Sequence, residues 1–79
     1  MFYVYVINSL LRNYIYVGLT NNIERRLNQH NNGENKTTRP YSPFELILTE
    51  QFQTRKEARV REKYFKSGIG KEHIKAIMK

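Results

Sequence analysis

Residues 2–30 read FYVYVINSLLRNYIYVGLTNNIERRLNQH, and their periodicities decide the fold. Phe2, Val4 and Val6 point one way, and Tyr3, Tyr5 and Ile7 the other. Ile15, Val17 and Leu19 alternate in the same manner with Tyr14, Tyr16 and Gly18. β-Branched and aromatic residues at period two favour strands. Asn8, Ser9 and Asn13 between the two runs are turn formers, so the runs form a hairpin. Centring its turn between Leu10 and Leu11 sets Val4 opposite Val17, Val6 opposite Ile15 and Tyr5 opposite Tyr16. Aliphatics then share one face and tyrosines the other, a sorting that a one-residue slip destroys. Directly opposed residues have Cβ atoms about 4.5–5.5 Å apart, so two phenols are expected side by side. Gly18 falls opposite Tyr3 and marks a bend or a close approach by another backbone.

The period then changes. Asn21, Asn22 and Glu24 form a near capping box, which opens a helix over about 22–31. Ile23, Leu27 and His30 share its inner face at i, i+4, i+7 spacing. Arg26 sits at the margin of that face, and Arg25 points to water. Residues 31–43 are polar, carry Gly33, Pro40 and Pro43, and read as one long loop of the kind that is often functional. Lys36 and Arg39 within it are candidates for phosphate contact. Residues 44–52 form a third strand with Phe44, Leu46, Leu48 and Phe52 on one face. Thr54 and Glu57 make a second capping box, and the helix it opens runs to about Ser67, with Gly68 as its terminating glycine. Ala58, Glu62 and Phe65 line up on its inner face. Residues 71–79 form a short terminal helix. The expected fold is α+β, a three-stranded antiparallel sheet flanked by helices, in a single domain over residues 1–79.

Fourteen Lys and Arg face seven acids, for a net charge of +7. Such a surface attracts polyanions, nucleic acid first and anionic membrane second. All seven acids are glutamates, which argues against the several aspartates of a typical two-metal site. The chain has no cysteine, so disulfides and thiolate metal sites are excluded and a reducing, cytoplasmic setting is expected. No apolar run is long enough to cross a bilayer, and no signal peptide opens the chain. No membrane partner is expected.

Three features carry candidate chemistry, each beside a plainer reading. Strand tyrosines ordinarily just pack. A phenol with pKa near 10 is only about one part in a thousand ionised at pH 7, and a neighbouring cation lowers that pKa. A helix arginine is ordinarily solvated, but Arg26 stands next to His30 at the core margin, and a guanidinium fork suits a phosphate. Glu62 on an apolar face needs a partner, either an arginine or a metal ion. His30, near a helix C-terminus, also complements the dipole there. His73 shows no partner in the sequence.

These residues resemble the GIY-YIG nuclease superfamily of homing endonucleases, DNA excision-repair nucleases and some restriction enzymes. Tyr3-Val4-Tyr5 matches the first signature, with Tyr3 in place of glycine, and Tyr16-Val17-Gly18 matches the second. The family's helix arginine, ten residues after the second tyrosine, falls on Arg26. The histidine four residues further falls on His30, and the metal-binding glutamate on Glu62. The resemblance spans about residues 2–70 and is closest to small stand-alone members. The chain has no asparagine after Asn35, where many members carry one. The resemblance implies a metal-dependent endonuclease that cleaves nucleic acid, most simply DNA, one strand per site. Glu62 would hold Mg²⁺ or Mn²⁺, Arg26 would stabilise phosphoryl charge, and Tyr5 or Tyr16 would activate water with help from His30. Arg25, Lys36 and Arg39 would bind nucleic acid, double-strand cleavage would need a homodimer or two events, and a protein partner is a further possibility. The competing reading is a non-catalytic nucleic-acid-binding module, or an accessory subunit, with the same fold.

Overall fold

The structure is a computed structural model and describes residues 1–78. Its elements are β1 (Phe2–Ser9), β2 (Ile15–Thr20), α1 (Ile23–Asn31), a 3₁₀ turn at Arg39–Tyr41, β3 (Phe44–Phe52), α2 (Arg55–Lys66) and α3 (Gly68–Met78). The strands form one antiparallel sheet in the order β2-β1-β3, as the α+β reading expects. The alternation of β1 splits the core in two. Val4, Val6 and Val17 pack against Ala58 and Phe65 of α2 and Ile74 of α3. Tyr5, Ile7 and Phe44 pack on the opposite face with Ile23 and Leu27 of α1. The central strand therefore has helices on both sides.

The hairpin register differs from the expected one by two residues. Tyr5 pairs with Gly18, Val6 with Val17 and Ile7 with Tyr16. Ser9 is the physical cause: its Oγ accepts hydrogen bonds from the N–H groups of Leu11 (3.3 Å) and Arg12 (3.0 Å), which carries the turn one residue further. A shift of two keeps every side chain on its face, so hydrophobic sorting alone does not resist it. The tyrosines remain on one face but stand diagonally rather than directly opposed.

A second correction concerns β3. Val6 pairs with Leu48 but Ile7 with Leu46, so one residue, Ile47, is extra. Such a bulge switches faces. Phe44 packs on the tyrosine side, whereas Leu48 and Phe52 pack on the valine side. The four do not share one face as the alternation suggested.

Local capping sets the helices. Asn22, not Asn21, caps α1, with its Oδ1 accepting from the Arg25 N–H at 3.0 Å. Thr54 and Glu57 form the expected box: the Glu57 N–H donates to Thr54 Oγ1 (3.2 Å), which donates to Glu57 Oε1 (2.9 Å). Gly68 does not terminate α2 in a left-handed conformation, since among the described residues positive φ occurs at Gly33. Ser67 makes the junction instead. Its N–H donates to the Tyr64 carbonyl, and its Oγ accepts from the Gly70 N–H at 3.2 Å to start α3. A Cβ on Gly70 would collide with the Tyr64 carbonyl and the Phe65 Cα, so glycine lets the two helices meet at that corner. Arg61 ties α2 to β3 through a two-pronged ion pair with Glu50, at 2.6 and 3.1 Å.

Candidate active site

The tyrosine face of the sheet meets α1 at one point. Tyr5, on the central strand, is 2% exposed. Its ring lies against Gly18 so closely that a Cβ there would overlap the phenol carbons and oxygen. The second signature's glycine thus makes room for the first signature's tyrosine. The rings of Tyr5 and Tyr16 are 6.3 Å apart and tilted by 41°. His30 faces both, with ring separations of 5.8 Å to Tyr5 and 5.0 Å to Tyr16.

A buried chain of hydrogen bonds runs through His30. Tyr5 Oη lies 2.9 Å from His30 Nε2, and His30 Nδ1 lies 2.8 Å from Thr38 Oγ1. Both His30 and Thr38 are fully buried. Burial, reinforced by the charge of Arg26, lowers the His30 pKa to about 4, so the ring is neutral near pH 7. The neighbouring phenols of Tyr5 and Tyr16 raise the pKa of Arg26, whose guanidinium lies close to them. The guanidinium donates to Gln29 Oε1 at 3.0 Å. The imidazole tautomer sets which of Tyr5 Oη and His30 Nε2 donates. With the ring proton on Nδ1, His30 donates to Thr38 Oγ1 and accepts from Tyr5 Oη.

Burial corrects one expectation. The Tyr5 pKa is raised, because desolvation outweighs the lowering effect of Arg26. The cation does not yield a free phenolate. It sits beside a neutral phenol that is hydrogen-bonded to a neutral imidazole.

Glu62 stands on α2, in line with the core residues Ala58 and Phe65. Its side chain is 14% exposed, with Arg59 Nε at 3.5 Å and Lys66 Nζ at 3.2 Å. Its charge is felt at Tyr5, as the smallest of the influences that raise that pKa. The ion pairs foreseen as the plainer reading are thus present. They are one-turn helix pairs to exposed side chains, each worth about 0.3–0.5 kcal/mol, so they leave the carboxylate available. Among the described residues no group of three His, Cys or Glu side chains forms a metal cage. A single carboxylate completed by water and substrate oxygens is a common way to hold Mg²⁺, and Glu62 fits that mode.

The remaining predicted residues lie outside this cluster. Arg25 is exposed, and its guanidinium donates to Asn21 Oδ1 at 3.2 Å. Arg25 and Arg26 share a cleft of about 240 Å³ with Arg55 and Thr20, which gathers three guanidinium groups. Arg39 is exposed and tied to the Gly33 carbonyl at 2.8 Å, so it also shapes the loop. Lys36 is exposed on the same loop. Thr38 was missed by the sequence reading. Its sequence signal is faint, a threonine in a polar loop, and only the fold of residues 31–43 brings it under His30. His73 has a partner after all in Tyr64, whose hydroxyl is 3.2 Å from Nδ1.

A sheet with two signature tyrosines on one face and an Arg-x-x-x-His helix docked over them defines a GIY-YIG domain. The chain belongs to the GIY-YIG family, whose catalytic-domain model matches residues 1–75. It is similar to UPF0213 proteins. One from Clostridium perfringens is 42% identical over 98% of this chain and 83% of the relative. Another from Bacillus licheniformis is 49% identical over 66% of this chain and 55% of that relative. The solution structure of a UPF0213 protein from Bacillus halodurans superposes with a TM-score of 0.57 at 32% identity, covering 98% of this chain and 85% of that one. The family is a nuclease family, and the UPF0213 names themselves carry no activity. No described helix is long and apolar enough to cross a membrane.

Proposed function

We propose that this chain is an endonuclease that hydrolyses a phosphodiester bond in DNA, one strand per site. The observation that carries the reading is the Tyr5–His30–Thr38 hydrogen-bond chain with Arg26 against the phenols. Such a chain gives a buried phenol somewhere to send its proton. Arg26 would donate to the non-bridging phosphoryl oxygens as charge develops there. Tyr5 would take the proton of the attacking water while passing its own to His30 Nε2, which avoids a free phenolate. Tyr16 would orient water or phosphate beside it. The two phenols remain interchangeable in these roles until each is replaced.

Glu62 would hold Mg²⁺ or Mn²⁺, which supplies Lewis-acid stabilisation of the phosphate and leaving oxygen when bound. Arg25, Lys36 and Arg39 would contact flanking phosphates. Cutting both strands would need two chains or two events. The test is nicking of supercoiled DNA by purified protein with Mn²⁺, beside Glu62→Gln. The neutral amide keeps the shape of the side chain but not its charge. The variant should fold and bind DNA yet release no nicked product. If wild-type protein binds DNA and never nicks it, the chain is a binding module. If Glu62→Gln unfolds, Glu62 serves its ion pairs and not a metal.

A further inference from the structure

Tyr16 also borders a second feature on its other flank. The start of β2, the end of α2 and the middle of α3 border a groove of about 580 Å³. Its apolar side includes the buried Ile74 and the half-buried Tyr14, whose ring stacks on Tyr41 at 3.8 Å and 9°. Its polar side is Asn13 and three lysines, Lys66, Lys71 and Lys75, and no acid lines it. Lys66 pairs with Glu62, whereas Lys71 and Lys75 make no ion pair among the described residues. They stand one helical turn apart on α3, so both ammonium groups serve the same rim.

We propose that this groove receives an unpaired nucleotide segment adjoining the cleaved bond, its base on the apolar wall and its phosphates on Lys71 and Lys75. The inference rests on the reading of nucleic acid as the substrate and names which kind: a duplex with a single-stranded tail or flap. Three observations converge on that occupant. Every charged residue of the rim is a cation, which selects a polyanion. The wall is aromatic and aliphatic, and a base offers such a wall its face only when it is unstacked. The volume lies in the range of about 300–1,000 Å³ typical of sites that enclose a small molecule, whereas an intact duplex presents a wide convex surface with its base faces covered. Tyr16 joins the groove to the Tyr5–His30 cluster, so a strand leaving the groove passes the candidate site. Lys66 links the groove to Glu62 in the same way.

The experiment measures binding in EDTA, where no cleavage occurs. The protein is titrated by fluorescence anisotropy into a blunt 20-base-pair duplex, the same duplex with a five-nucleotide tail, and one whose tail is abasic. Wild type should bind the tailed duplex at least tenfold more tightly than the blunt one, and the abasic tail should lose much of that gain. Lys71→Ala/Lys75→Ala replaces exposed side chains on a helix, so the fold is expected to persist, and circular dichroism checks it. The pair should remove most of the tail's advantage and reduce its salt slope by about 1.4, the share of two phosphate contacts on a single strand. Blunt-duplex affinity should change by less than about twofold. Equal losses on blunt and tailed duplex, or an abasic tail bound as tightly as the normal one, overturn the proposal. Tail-dependent binding without any nicking in Mn²⁺ leaves the groove standing and removes the nuclease reading. Nicking without tail preference does the reverse.

Discussion

At the scale of single residues, the central fact is a phenol, an imidazole and a hydroxyl joined in a dry line. Tyr5→Phe removes the link to Nε2 and strands a buried nitrogen. Activity should fall about 10²–10⁴-fold, the range for a general acid or base. Stability should fall by about 1–3 kcal/mol, the cost of leaving a buried polar group unpaired. Nicking assays and urea melts separate the two effects, and a variant that cleaves at the parental rate removes Tyr5 from the chemistry. His30 gives a pH prediction. Its folded pKa of about 4 lies below the unfolded value of about 6.5, so the unfolded chain takes up the proton first as pH falls. The stabilisation is complete above pH 6.5 and is lost as pH drops toward 4, with a slope of up to about 1.4 kcal/mol per pH unit. Nitrogen NMR shifts of the ring should show it neutral at pH 5.5. The sequence exposed Tyr5, Tyr16, Arg26 and His30 as candidates because period-two and period-3.6 patterns set their faces. It left Thr38 hidden because an irregular loop has no period from which to read a direction.

At the scale of elements, sequence patterning and structure agree wherever a physical constraint was local and one-valued. The capping box at Thr54 and Glu57 is such a case, and so are the ends of β3. They part where two arrangements satisfy the same pattern. The hairpin parity allows registers two residues apart, and the Ser9 hydroxyl selects between them. The apolar run of β3 accommodates a bulge at Ile47 that alternation alone does not reveal. Gly68 looked like a helix stop because a glycine after an amphipathic run usually is one, yet the close-packed glycine is Gly70. Gly70→Ala should drive the start of α3 away from Tyr64 and Phe65. A cost of about 1–3 kcal/mol, as for overpacking, is expected in thermal or denaturant melts, with the groove beside α3 distorted. Gly68→Ala meets nothing within 4 Å and serves as the control.

At the scale of the whole molecule, the charge of +7 dominates the approach to any polyanion. If about six phosphates are contacted, log K against log salt should fall with a slope of about −5 on duplex DNA. Filter binding across a salt series checks this, and an affinity indifferent to salt removes nucleic acid as the partner. The sheet separates two tasks. Its tyrosine face, under α1, gathers the proton-handling groups, while the helices on its valine face bring Glu62 and the lysines of α3. That division was legible only in part, because Glu62 could be placed on an inward helix face but not at a position around the sheet.

The contact between Gly18 and the Tyr5 ring has a consequence for how such a sequence can drift. The two signatures, thirteen residues apart, are the two halves of one steric fit. Position 18 accepts a side chain only after position 5 has given up its large ring, and restoring the ring then requires the glycine again. Neither change is neutral alone in the parental background, so the path between them is gated by epistasis. A lineage that abandons the chemistry can lose the tyrosine first and the glycine afterwards. The reverse order is blocked by packing, so the glycine outlives the reaction as a trace of the ring it once had to clear.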